Sequence, residues 1–255
     1  ARRTGISVVA DNPAVVEGLA SAGREAGRKI SVLVECDTGA KRNGVASPEA
    51  AAELAGQIER TEGLRYGGLM TYPAARTREA SARFLAQARD RIAETGLETP
   101  VITTGGSPDM WSDTGLDVAT EYRAGTYVYN DRMLIGLGTC TLADCALRVR
   151  ATVVSVPTPE RAIIDAGSKA LTSDLVGLSE FGSVPALPDA TVYKVDEEHG
   201  YVDISSLAEK PRVGDVLAIL PNHACPVSNL YDRVALSRGG ELLGLTRVDA
   251  RGLVW

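Results

Sequence analysis

The chain has 255 residues, 44% hydrophobic and 24% charged, with a formal net charge of −6. That length supports one large domain or two smaller ones, each with a buried core. The acidic balance leaves no broad basic surface for nucleic acid or anionic lipid, and no apolar run nears the ~20 residues of a membrane span.

The chain opens "ARRTGISVVADNP", with no initiator methionine and no signal-peptide pattern, so it reads as a fragment or as lacking its natural start. "ISVVAD" (6–11) predicts a first strand, and Asp11-Asn12-Pro13 then supplies a helix start, with proline entering the first turn. A helical spacing follows to Gly27. "SVLVECD" (31–37) is a second strand, short and rich in valine, and "SPEAAAELAGQIER" opens a second helix at Ser47-Pro48-Glu49. "YGGLMTY" (66–72) is a third strand. "TREASARFLAQARDRIAETG" is a long amphipathic helix, "TPVITTGGS" a fourth strand running into glycine, and "DVATEYRAGTYVYND" two short strands or a strand and a turn. Alternation of apolar strands with helices means a parallel sheet covered by helices.

After about Leu137 the pattern changes. "ALRVRATVVSVP", "RAIIDAG", "ATVYKVDEEHGYVDI", "GDVLAILP" and "DRVALSRGGELLGLTRVDARG" alternate apolar and polar residues between glycines and prolines. No good helix is expected there, and the half reads as antiparallel β. The expectation is an α/β domain over residues 1–137 followed by an all-β domain over 138–255.

Function in a parallel α/β domain gathers at the C-terminal ends of the strands. Four such ends stand out: "ECDTGAKRNGV" with Arg42, "MTYPA" with Tyr72, "TTGGSPDM" and "EYRAGTYVYND". Thr104, Gly105, Gly106 and Ser107 offer successive backbone N–H groups and hydroxyls, which suit a phosphate oxyanion. A plain glycine turn, a surface arginine and a packing tyrosine are the structural alternatives. Cys36, Cys140 and Cys145 read as small core residues, and the four cysteines together as reduced thiols of a cytoplasmic protein. His199, in "DEEHGY", reads as part of a hairpin turn.

Together these stretches resemble a known family. "VECDTGAKRNGV" is similar to the D-x-G-x-x-R-x-G signature of the alanine racemase N-terminal barrel, the (β/α)8 TIM-type domain of the type III pyridoxal phosphate enzymes. "EYRAGTYVYND" is similar to the R-x-G turn of the same barrels. The second half, with "ATVVSVPTPERAIIDAGSKALTSD", "DEEHG", "GDVLAILPNHACPVSNLYD" and "VDARG", resembles the D-threonine aldolase and D-serine dehydratase group. The resemblance implies pyridoxal 5'-phosphate, held by Thr104, Gly105, Gly106, Ser107, Arg123, Gly125 and Thr126, with Arg42 and Tyr72 as the catalytic residues. It also implies that His223 and Cys225 bind a divalent metal, zinc or manganese. On an extended segment an H-x-C spacing would put both side chains on one face, and imidazole plus thiolate favours zinc.

The implied substrate is a small D-β-hydroxy amino acid and the implied assembly a homodimer. The reading is a pyridoxal phosphate- and metal-dependent lyase that leans to D-threonine aldolase chemistry, giving glycine and an aldehyde; D-serine dehydratase chemistry and a non-catalytic relative that only binds the cofactor are the alternatives. The family's Schiff-base lysine comes from the first barrel strand, and no residue here matches it. Lys29 falls at a helix end, Lys41 in a turn, and Lys169 in the β half as a structural residue. About six barrel strands are expected instead of eight. The sequence as written should therefore neither close a barrel nor hold the cofactor covalently. "YPAARTR" also lacks the histidine that family members often carry after the tyrosine.

Overall fold

The computed structural model describes residues 5–112 and 117–253. The chain divides into two compact units, Ala1–Gly125 and Thr126–Trp255.

In the first unit, β1 (Ser7–Ala10), β2 (Ile30–Glu35), β3 (Leu64–Met70), β4 (Ile102–Thr104) and β5 (Glu121–Tyr122) form an all-parallel sheet in sequential order. The sheet is open, and among the described residues it has five strands instead of the six expected. After Tyr122 the chain turns, so the strand-and-turn alternative for this stretch holds. Helices α1 (Pro13–Glu25), α2 (Pro48–Arg60) and α3 (Arg78–Glu94) connect the first four strands. Asn12 Oδ1 accepts the Val15 N–H at 3.0 Å and Ser47 Oγ accepts the Ala50 N–H at 3.1 Å, with proline at the next position in each case. These caps are the signals read from the sequence. Val32, Val34, Leu64, Leu69, Ile58, Leu85 and Ile92 are buried between strands and helices. Gly68 is forced: its φ is +135°, and a Cβ there would lie 2.0 Å from the Val101 carbonyl oxygen. The opposite face of the sheet is an open concavity of about 460 Å³ that includes Ser31, Arg65, Thr103, Glu121 and Arg123.

The second unit begins with a turn at Thr126–Val128 and α4 (Arg132–Gly136). The strands β6 (Val149–Thr158), β7 (Arg161–Ile164), β8 (Gly182–Ser183), β9 (Thr191–Val195), β10 (Gly200–Asp203) and β11 (Val216–Pro221) close into an antiparallel barrel in the order β10-β7-β6-β11-β8-β9. Val153, Ile164, Val192, Val202, Ile204 and Ile219 fill its core. His199 lies exposed in the β9–β10 hairpin, as the sequence indicated. A separate hairpin follows, β12 (Arg233–Arg238) with β13 (Glu241–Arg247).

Two expectations differ from the structure. The units part at Gly125, ahead of the expected boundary at 137, because the segment between bonds within the second unit: the Met133 N–H donates to the Asn222 carbonyl at 3.1 Å. The β half, 138–255, also contains short helices, α5 (Ser168–Leu171) and α6 (Ala224–Leu230). Each is too short for a 3.6-residue period to show against alternation.

Candidate active site

The residues singled out from the sequence fall into two groups, one in each unit. In the first unit they stand at the C-terminal ends of neighbouring strands. Past β2, the Asp37 carboxylate folds the loop by accepting the N–H groups of Gly39 at 2.9 Å and Lys41 at 3.0 Å. Those two bonds hold its pKa below the ordinary value. The loop returns at Val45, which pairs with Cys36, and Gly44 N–H donates to Asp11 at 2.9 Å. It delivers Arg42, whose guanidinium lies 5.3 Å from the centre of the Tyr72 ring. Tyr72 follows β3 and is exposed.

Beneath that pair runs a chain of hydroxyls that sequence reasoning missed. Ser81 donates to Thr38 at 2.9 Å, Thr38 lies 2.9 Å from Thr71, and Thr71 donates to the Cys36 carbonyl at 2.8 Å. Only folding brings three such separated hydroxyls together, so no local signal marks them.

Past β4, Thr104 ends the strand and Gly105 turns it with φ +102°. A Cβ on Gly105 would sit 2.4 Å from the Tyr122 ring. The Tyr122 hydroxyl in turn donates to the Gly106 carbonyl at 2.9 Å. Ser107 opens a short 3-10 turn, and its hydroxyl accepts the Gly125 N–H at 3.2 Å, joining the two glycine turns. Arg123, past β5, donates to the Thr103 hydroxyl and to the Thr71 carbonyl, both at 2.7 Å. Burial lowers its pKa from the ordinary arginine value. Arg78 at the start of α3 was also missed. It lies 5.0 Å over the Tyr122 ring and donates to the carbonyls of Asp109 and Ser112.

The second group is Thr126, His223 and Cys225. The H-x-C pair is not on an extended strand as expected. β11 ends at Pro221, His223 is the N-cap of α6, and Cys225 lies in its first turn. The strand-to-helix turn sets them two residues apart at the head of α6 instead, and Pro226 is tolerated within that first turn. His223 Nδ1 lies 2.7 Å from Asp174. The neighbouring Cys225, aided by Asp174 and opposed by burial, pushes His223 up to about 9. The neighbouring His223 in turn lowers the Cys225 pKa. Thr126 Oγ1 lies 3.2 Å from the Cys225 sulfur, so its hydroxyl serves this pair. Asp174 was missed as a site residue, although "SKALTSD" lies in a stretch that carries the family resemblance. Among the described residues no cluster of three or more His, Cys, Asp or Glu is spaced to hold a metal ion. The cysteines are all unpaired.

The profile of the alanine racemase N-terminal domain matches residues 1–133, and that of the putative serine dehydratase domain matches residues 146–237. The D-threonine aldolase of Arthrobacter sp is 34% identical over 265 residues, covering 99% of this chain and 69% of that protein. The chain belongs to the D-threonine aldolase and D-serine dehydratase family of type III pyridoxal phosphate enzymes. Within this family, the D-threo-3-hydroxyaspartate dehydratase of Delftia sp. strain HT23 is 31% identical over 255 residues, 88% of this chain and 67% of its own. The crystal structure of D-threonine aldolase from Filomicrobium marinum superposes with a TM-score of 0.89 at 26% identity, over 100% of this chain and 72% of that one. The family's fold, a parallel sheet with helices followed by an antiparallel barrel, is the fold seen here. Of the lysines weighed in the sequence, Lys29 precedes β2 at its N-terminal end, and Lys41 has φ 53° in the loop past β2. Lys169 pairs with Glu198 at 2.5 Å within the second unit.

Proposed function

We propose that the protein is a pyridoxal phosphate- and metal-dependent lyase that cleaves D-β-hydroxy amino acids of the D-threonine type to glycine and an aldehyde. The observation that carries this reading is the placing of His223 and Cys225 at the head of α6, with Asp174 2.7 Å from the imidazole and Thr126 3.2 Å from the thiol, in a family whose aldolase relative aligns along 99% of the chain. A lyase that breaks the bond next to a β-hydroxyl benefits from a cation at that hydroxyl.

The residues present fit both groups. On the cofactor side, the turn at Gly105 and Gly106 brings backbone close to any bound phosphate without side chains, and the Ser107 hydroxyl, whose oxygen accepts the Gly125 N–H, adds a polar group. Arg123 would face the ring, and Arg42 with Tyr72 would border the substrate. When bound, pyridoxal phosphate supplies an electron sink for negative charge at the substrate α-carbon. On the metal side, His223 and Cys225 offer one nitrogen and one sulfur at the head of α6, and a divalent cation would take both in place of their protons. Two protein ligands leave the other positions to water and to the β-hydroxyl, as an open catalytic site requires. Asp174 fixes the His223 ring through Nδ1 and leaves Nε2 for the cation. The Arg42 guanidinium, 5.3 Å from the centre of the Tyr72 ring, would hold that ring at the substrate's edge.

Cysteine as the second ligand, together with the Delftia relative, favours dehydration as the second reading. With its four unpaired cysteines and its family, the protein further reads as a cytoplasmic homodimer; among the described residues no helix is long and apolar enough to cross a membrane. The test uses the protein with whatever sequence precedes Ala1 in its gene, loaded with pyridoxal phosphate and zinc or manganese, and D-threonine. Glycine and acetaldehyde are the expected products. 2-Oxobutanoate and ammonia would move the assignment to the dehydratase, and cofactor binding with neither product to a non-catalytic relative.

A further inference from the structure

Asp131 is wholly buried, which is costly for a carboxylate unless its oxygens are satisfied. Each oxygen takes one backbone N–H from a different segment. One accepts Leu134 N–H at 3.0 Å and closes the first turn of α4. The other accepts Ala224 N–H at 2.9 Å, and Ala224 is the residue between His223 and Cys225. The same turn is braced by Arg132, which donates to Asn222 Oδ1 at 2.7 Å and pairs with Glu180 at 3.1 Å. Asn222 also donates to the Glu180 carbonyl.

We propose that Asp131 is a positioning residue for a divalent cation held by His223 and Cys225. It pins the backbone of the intervening residue, so the two Cα–Cβ directions are set before the cation arrives and little order is lost on binding. The inference rests on the reading of that pair as metal ligands.

The test is Asp131→Asn. Asparagine caps a helix as well as aspartate, but its amide has one acceptor, so whichever way it turns one N–H faces an amino group. The zinc dissociation constant, measured against a competing chelator, and the sulfur-to-cobalt charge-transfer band of the cobalt-loaded protein are read well below the unfolding temperature. Zinc binding should weaken by about ten-fold or more, the size typical of lost support around a ligand, and the cobalt band should shift or fade. Ser47→Ala, which removes a helix cap in the first unit, should lower the unfolding temperature and leave both readouts alone. An Asp131→Asn protein that melts earlier but keeps the parent zinc affinity and cobalt band overturns the inference. If Asp131→Asn does not fold, Asp131→Ser keeps a capping oxygen for the Leu134 N–H and gives up the acceptor of the Ala224 N–H. Weakened zinc binding then supports the proposal and parent affinity overturns it. His223→Ala and Cys225→Ala run alongside. If neither reduces bound zinc, the ligand reading itself fails and takes this inference with it, an outcome distinct from loss of zinc in those two variants alone.

Discussion

Single atoms decide the cofactor side. Gly105 combines φ +102° with a Tyr122 ring where a Cβ would go, so Gly105→Ala should cost about 1–3 kcal/mol, read as a lower urea midpoint. Gly106 differs. Its backbone is extended, and a Cβ would lie 3.3 Å from the Tyr72 ring edge. Gly106→Val should therefore fold and bind pyridoxal phosphate more weakly in a fluorescence titration; unchanged affinity would place the phosphate elsewhere. His223→Ala and Cys225→Ala should each lower bound zinc measured by atomic absorption, and parent metal content in both would remove the metal from the mechanism. Asp37 gives a pH signature. Its folded pKa lies below the ordinary 3.8, so its contribution is present above that value and is lost as pH falls through the folded pKa. The stability gap between parent and Asp37→Asn should be open at pH 6 and close in acid, as thermal melts across pH would show.

At the level of elements, the helices of the first unit were legible because each announces itself locally. Asn12-Pro13 and Ser47-Pro48 mark starts that the structure keeps, with the capping bonds in place. Ser47→Ala should cost about 1 kcal/mol in a denaturant titration, since one N–H at the start of α2 loses its acceptor. An unchanged midpoint would mean that water replaces the hydroxyl at no cost. α6 was not legible. It is 7 residues long, contains Pro226 and sits directly behind β11. Its first residue draws its N–H partner, Asp131, from far back in the chain, and that contact cannot be read from a window of sequence.

At the scale of the molecule, the two units differ in how their edges are managed. The second closes its strands into a barrel around its own core, which removes open edges. The first has an open sheet with β1 and β5 as edges. Residues 126–255 alone should therefore fold and melt cooperatively by circular dichroism. A non-cooperative melt would show that the barrel needs the rest of the chain. The same division explains the boundary. Composition changes near Leu137, but α4 belongs with the barrel because its partners, Asn222 and Glu180, lie there.

The sequence by itself determined the class of each half, the strand ends that carry Arg42, Tyr72, the Thr104–Ser107 turn and Arg123, and the family. The class and the strand ends depend on period, caps and glycine spacing, all local quantities, and the family on the resemblance of whole motifs. Tertiary structure alone decided that His223 and Cys225 stand at a helix start instead of along a strand. It also decided that Thr126 faces the thiol, that Asp131 holds the Ala224 N–H, that Asp174 meets His223, and that the Thr38, Thr71 and Ser81 hydroxyls join. The physical reason is shared. Apart from the adjacent His223 and Cys225, each is a polar group whose partner is distant in sequence, and such a contact leaves no periodic trace in the chain.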